Sequence, residues 1–328
     1  MKGKTIFVTG GTGSWGNELV KQLLEKEPKE IRVFSRNESS QFQMKQHFND
    51  HPSLTFIIGD VRDKEALINS MRGADYVYHL AALKHVPICE YQPLEAMKTN
   101  VLGTQYVVEA ALINQVEKVM YISTDKAANP SNFYGMTKAL GERLIVNANL
   151  HSEKTIFACV RGGNVLGTNG SVIHVFKDQI KHFKQIRMTD VKMSRFFLTI
   201  QEAIELLFEA TEESKGGEIF VMKMPACMIT DLADILIEHS GVEHVQVVET
   251  GIRPGEKVDE ILLTEFESKS TIQYGADYYI ILPSYPVPQL KNHYDTYPKA
   301  NLTNYSSRNN IMNKEELKKL LHKGGFLS

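Results

Sequence analysis

The sequence is poor in the features that mark several large classes of protein. Its 328 residues include only three cysteines, Cys89, Cys159 and Cys227, and these are too far apart for a metal-binding motif. Such a set predicts free thiols packed in a core and a reducing compartment. Basic and acidic residues nearly balance, 37 against 39, so the composition gives no indication of a nucleic-acid partner.

Long apolar runs are also missing. No segment approaches the roughly 18 apolar residues that a membrane-spanning helix needs. The N-terminus carries lysines, but Thr-Gly-Gly-Thr-Gly interrupts its apolar run at once, which argues against a signal peptide. We therefore expect a cytoplasmic protein with no membrane partner. A length of 328 residues favours one large domain with a smaller lobe.

The N-terminal segment has the pattern of a dinucleotide-binding turn. A strand is predicted at Lys4–Val8 and an amphipathic helix from Ser14, with a glycine-rich stretch between them. Glycines in such a turn let the backbone approach a pyrophosphate, and the helix N-terminus presents free N–H groups and a positive dipole to that anion. The residues predicted to bind the cofactor here are Gly10, Thr12, Gly13, Ser14, Trp15 and Gly16.

The next strand ends in Ser35 and Arg36, where such folds bind the adenosine ribose. An arginine at this position favours the 2′-phosphate of NADP, whereas an acidic residue would favour NAD. Stacking on the adenine is the alternative role for Arg36. The alternation of apolar runs with helical patterns predicts an α/β fold with a doubly wound parallel sheet. A single helix is predicted from Glu90 to Asn100, and strands are predicted at 31–34, 54–58, 76–80, 119–122 and 155–160.

The strand at 119–122 runs directly into Ser123-Thr124-Asp125-Lys126. Polar groups at the carboxyl end of a parallel strand lie where open α/β sheets bind ligands. Tyr134 and Lys138 are four residues apart and share one face of a helix predicted to begin near Phe133. A lysine beside a phenol favours the phenolate, which can take a proton from a sugar hydroxyl. We therefore predict that Thr124, Tyr134 and Lys138 are catalytic.

The regular alternation fades after residue 167. This predicts an NAD(P)-binding domain at 1–167, whose sheet some later elements complete, and a substrate lobe at 168–328. Arg195 and Arg253 are predicted to lie on loops of the lobe, where arginines can bind a second diphosphate. The segment 283–310 is predicted to be an extended cover, and Asn313 is predicted to cap a final helix that begins at Lys314.

These motifs resemble those of the extended short-chain dehydrogenase/reductase family. The segments 81–87, 124–130, 217–221 and 253–257 resemble one subgroup over nearly the whole chain, the inverting UDP-N-acetylglucosamine 4,6-dehydratases that begin pseudaminic acid synthesis. The resemblance implies a Rossmann-like fold and a tightly bound NAD or NADP that is regenerated in each turnover. It also implies a UDP-linked amino sugar as substrate and a homo-oligomer, either a dimer or a larger assembly.

The resemblance also implies a role for each catalytic residue. Tyr134 would deprotonate the C4 hydroxyl while hydride leaves C4, and Thr124 would hydrogen-bond the oxygen there. Lys138 would lower the pKa of Tyr134 and hold the nicotinamide ribose. Lys126, neutral through burial, would remove the C5 proton, and a protonated Asp125 would donate to the departing C6 hydroxyl.

The resemblance adds further binding residues to the prediction. The cofactor positions that it implies are Asp60, Val61, Ala81, Ala82, Lys84 and Asn100, beside the turn residues, Ser35, Arg36, Tyr134 and Lys138. The sugar-nucleotide positions that it implies are Lys84, His85, Asn164, Arg195, Arg253 and Glu256.

The chain departs from the subgroup at three positions near the expected sugar site. Gly162 replaces a tyrosine, Asn169 replaces an arginine and Ala96 replaces a cysteine. The leading prediction is a dehydratase that inverts C5. A chain that retained only proton transfer at C5 would instead be a stand-alone 5-epimerase of the 4-keto-6-deoxy sugar. From another class of protein, a non-catalytic NAD(P)-sensing regulator would require a broken catalytic set, and this set is complete.

Overall fold

The computed structural model describes residues 1–168, 170–287, 290 and 292–327. Alternating apolar runs form most of its strands. These are β1 (Thr5–Thr9), β2 (Glu30–Ser35), β3 (Leu54–Ile58), β4 (Tyr76–His79), β5 (Lys118–Thr124), β6 (Ile156–Gly162), β7 (Asn164–Val165), β8 (Gln185–Met188), β9 (Ser194–Leu198), β10 (Ile219–Met222), β11 (Ala226–Met228), β12 (Gln246–Glu249), β13 (Ile261–Leu263), β14 (Thr271–Tyr274), β15 (Tyr278–Ile281) and β16 (Tyr305–Ser306).

The helices separate most of these strands along the chain. They are α1 (Ser14–Leu24), α2 (Glu38–His47), α3 (Lys64–Ser70), α4 (Val86–Tyr91), α5 (Pro93–Met97), α6 (Gly103–Ile113), α7 (Phe133–Ala148), α8 (Val172–Phe183), α9 (Ile200–Glu213), α10 (Ile229–Ser240), α11 (Glu265–Ser268) and α12 (Lys314–Lys323). Shorter turns of helix lie at Lys98–Leu102, Asp125–Ala127 and Asn149–His151.

Nine strands form one sheet in the order β14-β15-β10-β6-β5-β4-β1-β2-β3. The pairs from β3 to β10 are all parallel, and β15 pairs antiparallel with both β10 and β14. The prediction of an α/β fold with a doubly wound parallel sheet is therefore confirmed. Because parallel strands end on the same side, the segments after β1, β4 and β5 converge at one edge of the sheet.

Two elements differ from their predictions. The helix predicted from Glu90 to Asn100 is interrupted, because Pro93 has no N–H to continue the α4 ladder and instead begins α5. Arg195 was predicted on a loop but lies in β9, which pairs with β11 and β7. In this small second sheet all five residues of β9 are buried, so the run lacks the polar alternation of a half-exposed strand.

Several local predictions are confirmed. Asn313 caps α12 by accepting a hydrogen bond from the Glu316 N–H at 3.0 Å. Segment 283–310 has little regular structure where it is described, but it forms turns as well as extended stretches, so its role as an extended cover stays a prediction. Cys89, Cys159 and Cys227 are free and buried. Among the described residues, none of the helices is both long and apolar enough to cross a bilayer. The division of the chain near residue 167 stays a prediction.

Candidate active site

The glycine-rich turn between β1 and α1 forms one end of the site. Gly10 has a φ of +68°, and a Cβ at this residue would lie 2.8 Å from the backbone of Ala81. The turn therefore needs glycine here to pack against the segment that follows β4. Gly13 differs, because its backbone is extended and a Cβ there would meet only the Gly10 carbonyl oxygen, at 3.5 Å. The protein can therefore accommodate a Cβ at Gly13, which it cannot do at Gly10.

A cavity of about 590 Å³ extends from this turn to the carboxyl end of β5. It brings together the predicted catalytic residues and most of the predicted cofactor-binding residues. The predicted residues that line it are Gly10, Thr12, Gly13, Ser14, Trp15, Gly16, Ser35, Arg36, Val61, Ala81, Ala82, Lys84, His85, Thr124, Asp125, Lys126, Tyr134, Lys138 and Asn164.

Asp60 and Asn100, also predicted to contact the cofactor, do not line this cavity. Asp60 pairs with Arg62 at 2.6 Å and lies 3.8 Å from Arg36. Asn100 is buried and hydrogen-bonds both the N–H and the carbonyl of Leu83, at 2.8 and 2.9 Å. Because a buried amide must satisfy its own donors and acceptor, Asn100 holds the loop after β4 from behind the cavity wall.

Tyr134 and Lys138 lie one turn apart on α7, as predicted. Burial raises the pKa of Tyr134 to about 12, although the positive charge of Lys126 and a hydrogen bond with Thr124 act in the opposite direction. Lys138 was expected to be the cation that lowers this pKa. In the structure its Nζ instead donates to the Ile122 carbonyl at 2.7 Å, and burial lowers the pKa of Lys138 to about 7.

Lys126 was expected to be a neutral amine, and the structure contradicts this. Its Nζ lies 3.0 Å from Asp125 Oδ1 and 3.2 Å from Glu260 Oε1. Burial opposes the charge on Lys126, but the two carboxylates outweigh burial and raise the pKa of the ammonium. The position of Lys126 Nζ between two acidic side chains therefore favours the ammonium.

Glu260 is a residue that the sequence analysis missed. Its side chain is 4% exposed, and its Oε2 has no hydrogen-bond partner among the described residues. It directly precedes β13 and is placed against Lys126 by contacts between β13 and the turn at Asp125–Ala127. The only signal in the sequence was its position three residues beyond Lys257, at the end of a segment already singled out for Arg253 and Glu256.

A second cavity of about 370 Å³ adjoins the first near Lys126. Its lining includes every predicted sugar-nucleotide position, namely Lys84, His85, Asn164, Arg195, Arg253 and Glu256. The loop that carries Arg253 is tied to the start of α7, because the Gly255 carbonyl accepts hydrogen bonds from Ser131 Oγ and Asn132 Nδ2, both at 2.9 Å. Asn132 also caps α7, so this loop and the catalytic helix share an anchor.

The two arginines of this cavity are used differently. Arg195 is 8% exposed, and its guanidinium donates to the carbonyls of Ser194, Lys257 and Val258 at 2.7–2.9 Å. These bonds hold the backbone at 257–258. Most of the N–H groups of Arg195 therefore already have acceptors within the protein. Arg253 is exposed at the cavity and is the better placed of the two to meet a ligand.

Two of the three departures from the subgroup lie beside the catalytic residues. Gly162 lines the first cavity, and a Cβ there would lie 3.2 Å from Met222 Sδ, so a tyrosine would require Met222 to move. Ala96 is buried in a small cluster with Cys89 and Tyr134. Asn169 lies outside the described residues.

Comparison with known proteins identifies the family. Residues 6–282 match the family described as polysaccharide biosynthesis protein. The chain belongs to this family. It is 44% identical to the UDP-N-acetylglucosamine 4,6-dehydratase (inverting) of Campylobacter jejuni, over 86% of this chain and 83% of that protein. It is also 41% identical to a UDP-glucose 4-epimerase of Rickettsia akari, over 97% of this chain and 95% of that protein.

Solved structures agree with this assignment. Pen from Bacillus thuringiensis superposes with a TM-score of 0.90 at 40% identity, covering 98% of this chain and 99% of its own. More distant dehydratases and epimerases, at 20–24% identity and TM-scores of 0.66–0.71, share the fold, and several of them contain NAD or a UDP-sugar. The predicted resemblance to extended short-chain dehydratases is therefore confirmed.

Proposed function

We propose that the protein is a UDP-N-acetylglucosamine 4,6-dehydratase that inverts C5 and forms a UDP-4-keto-6-deoxy-N-acetylhexosamine. The observation that carries this proposal is the meeting of Thr124, Asp125, Lys126, Tyr134 and Lys138 in one cavity. The identity to the Campylobacter jejuni dehydratase supports it. An epimerase that only inverts C4 has no need for an acid and a base at C5 and C6, so this set favours the dehydratase.

The side chains divide the reaction between them. Tyr134, hydrogen-bonded to Thr124, accepts the proton of the C4 hydroxyl. A nicotinamide held in this cavity would accept the hydride from C4 and would return it to C6. The ketone at C4 acidifies C5–H, and Lys126 faces the cavity to take that proton once it is neutral. Asp125 accepts hydrogen bonds from Thr124 and Lys126, so it can take the proton that Lys126 gives up and pass it to the departing C6 hydroxyl.

The residues of the turn fit a nicotinamide dinucleotide. Gly13 lies at the N-terminus of α1, where free N–H groups favour a pyrophosphate. Gly13→Val should abolish retention of the cofactor on purification while the protein still folds, because the new side chain meets no protein atom closer than 3.5 Å at its Cβ. Gly13→Ala should lose a smaller fraction of its bound cofactor. Full occupancy in the valine variant, measured by absorbance and mass spectrometry, would refute the assignment.

The preference for NADP over NAD is part of the proposal. Arg36 is 54% exposed and lines the cavity, and the Arg62 guanidinium shares Asp60 with it. Arg36→Ala should lower the affinity for NADP by about 10–100-fold, which is the usual contribution of a hydrogen bond to a charged group. Its effect on the affinity for NAD should be small. Equal losses for both cofactors in a titration would indicate stacking on the adenine instead.

Proton NMR in deuterated water tests the function and separates it from the 5-epimerase alternative, which the departures at Ala96, Gly162 and Asn169 leave open. The enzyme is offered UDP-N-acetylglucosamine and, in a second tube, its 4-keto-6-deoxy derivative. A dehydratase converts the first sugar into a deuterated 4-keto-6-deoxy product. A 5-epimerase leaves the first sugar intact and exchanges C5 of the second, and a regulator binds cofactor and changes neither.

We also propose that the chain forms a homo-oligomer through α6 and α7. Exposed apolar side chains lie along this side of the molecule, on α4 through α7. They are Ile88, Tyr91, Leu94, Met97, Leu102, Ile113, Met136 and Leu140. Exposed apolar side chains on helices that pack together are candidates for a protein–protein interface. Sedimentation that gives only the 37.1 kDa species at micromolar concentration would reject the proposal.

A further inference from the structure

Lys138 contacts two consecutive residues of β5. Its Nζ donates a hydrogen bond to the Ile122 carbonyl at 2.7 Å and lies 3.8 Å from the centre of the Tyr121 ring. An ammonium has three N–H groups. The carbonyl accepts from one of them and the ring lies against the ammonium, while Lys138 also lines the first cavity. One strand therefore holds the lysine and leaves part of its ammonium for a ligand.

The Tyr121 ring is itself fixed by packing on both sides. It is buried, and its hydroxyl end lies against α7 at Gly141, where a Cβ would overlap Tyr121 Oη. The His79 ring packs beside it, with the two ring centres 5.5 Å apart. Because Gly141 is three residues after Lys138, the two positions share one face of α7. The tyrosine thus extends along that face from the lysine to the glycine and presents a fixed aromatic surface.

The carboxylate that acts on Lys138 is Glu142, one turn further along α7. Both of its oxygens accept hydrogen bonds from the buried Arg161 guanidinium, at 2.9 and 2.6 Å. Burial lowers the pKa of Lys138, and the charge of Glu142 opposes that effect only in part. Glu142 therefore supports the ammonium from a distance, while its hydrogen bonds are directed to Arg161.

The remaining ionisable neighbours of Lys138 are uncharged near neutral pH. Burial lowers the pKa of His79 on β4 to about 3, and it raises the pKa of Cys159 on β6 and of Tyr134 on α7. A neutral group gives the ammonium no counter-charge. The face of an aromatic ring does attract a cation, and the attraction is strongest where water is excluded. The Tyr121 ring is therefore the side chain that stabilises the ammonium by direct contact.

We propose that Tyr121 is a positioning residue that holds the Lys138 ammonium in the first cavity through the face of its ring. The ring acts through Lys138 and does not need to touch a ligand. Removal of the aromatic face should therefore favour the neutral amine, whereas removal of the hydroxyl group alone should not. The inference rests on the proposed function only for the use of Lys138 in oxidation at C4.

Tyr121→Leu and Tyr121→Phe test the inference in cofactor-free protein. The titration of Lys138 is followed between pH 5.5 and 9 by the NMR signal of its ε-carbon, in protein with isotope-labelled lysine, and Lys138→Met assigns that signal. Tyr121→Leu should titrate about one pH unit below wild type, because the ammonium loses the ring face. Tyr121→Phe keeps the face and should keep the wild-type midpoint. A leucine variant with an unmoved or raised midpoint, or a phenylalanine variant that moves as far, would overturn the proposal.

Tyr78→Leu is the matched control for the loss of a buried ring. Tyr78 lies on β4 and is also buried, but its ring packs beside Phe208 and its hydroxyl donates to Thr211 at 3.2 Å. No described contact joins it to Lys138. The control should lose stability to urea, as Tyr121→Leu does, yet keep the wild-type midpoint of Lys138. The same shift in both leucine variants would mean that looser packing moves the midpoint, and the proposal would fail.

A kinetic test compares oxidation at C4, followed as reduced nicotinamide at saturating cofactor, in the variants and in wild type. The rate of Tyr121→Leu relative to wild type should fall about five-fold from pH 6 to pH 8, as expected when the lysine midpoint moves about one pH unit below its wild-type value of about 7. Tyr121→Phe should keep the wild-type profile. A loss of equal size at every pH would indicate packing alone and would contradict the proposal. A wild-type protein that oxidises no sugar would refute the proposed function, while the NMR titration would still decide the role of the ring.

Discussion

Two lysines of the same cavity differ in their charge state. Lys126 lies in the turn at Asp125–Ala127 with its side chain 25% exposed, whereas Lys138 lies in α7 and is 3% exposed. Burial lowers the pKa of Lys138 to about 7, whereas the pKa of Lys126 is raised. The difference lies in their partners, because Lys138 Nζ meets a carbonyl and the ring of Tyr121, and Lys126 Nζ meets two carboxylates.

The comparison shows why burial alone does not predict the protonation of a lysine. Loss of water disfavours the ammonium at both positions, but only an anion within a few ångströms can reverse the effect. Lys138 can therefore hold or release a proton near neutral pH. Lys126 needs a change in its surroundings before it can act as a base. The two residues thus suit different steps, and replacing each should have a different kinetic signature.

Replacement of Lys126 should have the largest effect. Lys126→Ala removes the proposed C5 base but leaves Tyr134 and Lys138, so oxidation at C4 should continue while elimination falls by about 10²–10⁴-fold. Reduced nicotinamide should accumulate with UDP-N-acetylglucosamine, as measured by absorbance. Asp125→Asn is the matched variant, since it should also stop elimination yet keep C5 exchange with solvent. Normal turnover by Lys126→Ala would rule out its role as the base.

Lys138→Ala should show the reverse pattern with a smaller effect. The variant loses the side chain that the family resemblance places at the nicotinamide ribose, so oxidation at C4 should fall by about 10–100-fold at saturating cofactor. Exchange at C5 of the 4-keto-6-deoxy sugar should stay within a few-fold of wild type, because Lys126, Asp125 and Glu260 are untouched. Equal losses in both assays would show that the two lysines do not divide the reaction.

The features that could be predicted from the sequence depend on residues that are close together in the chain. The glycine turn, the polar end of β5 and the pair Tyr134–Lys138 each consist of residues close together in the chain, so a local pattern was enough. The parallel sheet followed from the alternation of strands and helices. Residue roles at these positions remain predictions until the variants are measured.

The features of the site that could not be predicted depend on contacts between segments that are distant in the sequence. Glu260 reaches Lys126 only because β13 lies against the turn after β5, and nothing in its local sequence indicates that contact. The pKa of Lys126 is raised by Asp125, its neighbour in the sequence, and by the distant Glu260, and the second of these contacts could not be predicted from the sequence. Arg195 was placed on a loop because β9 is too short and too fully buried to show an alternating pattern.

The smallest predicted effect is on stability and tests the protonation states directly, in cofactor-free protein. Between pH 7 and 9 an unfolded lysine, with a pKa near 10.5, stays protonated, whereas folded Lys138 loses its proton above about pH 7. At this residue the unfolded state then binds more protons, so Lys138 should by itself make the free energy of unfolding rise with pH by about 2 kcal/mol across this window.

That rise should be missing in Lys138→Met, whereas Lys126→Met should retain it. The pKa of folded Lys126 is raised above the unfolded value, so its ammonium stays charged in both states up to pH 9 and adds no slope there. Urea titrations of the three proteins at pH 7, 8 and 9 give the comparison. A rise of the same size in wild type and Lys138→Met would mean that Lys138 keeps its proton in the folded protein, and the contrast between the two lysines would then fail.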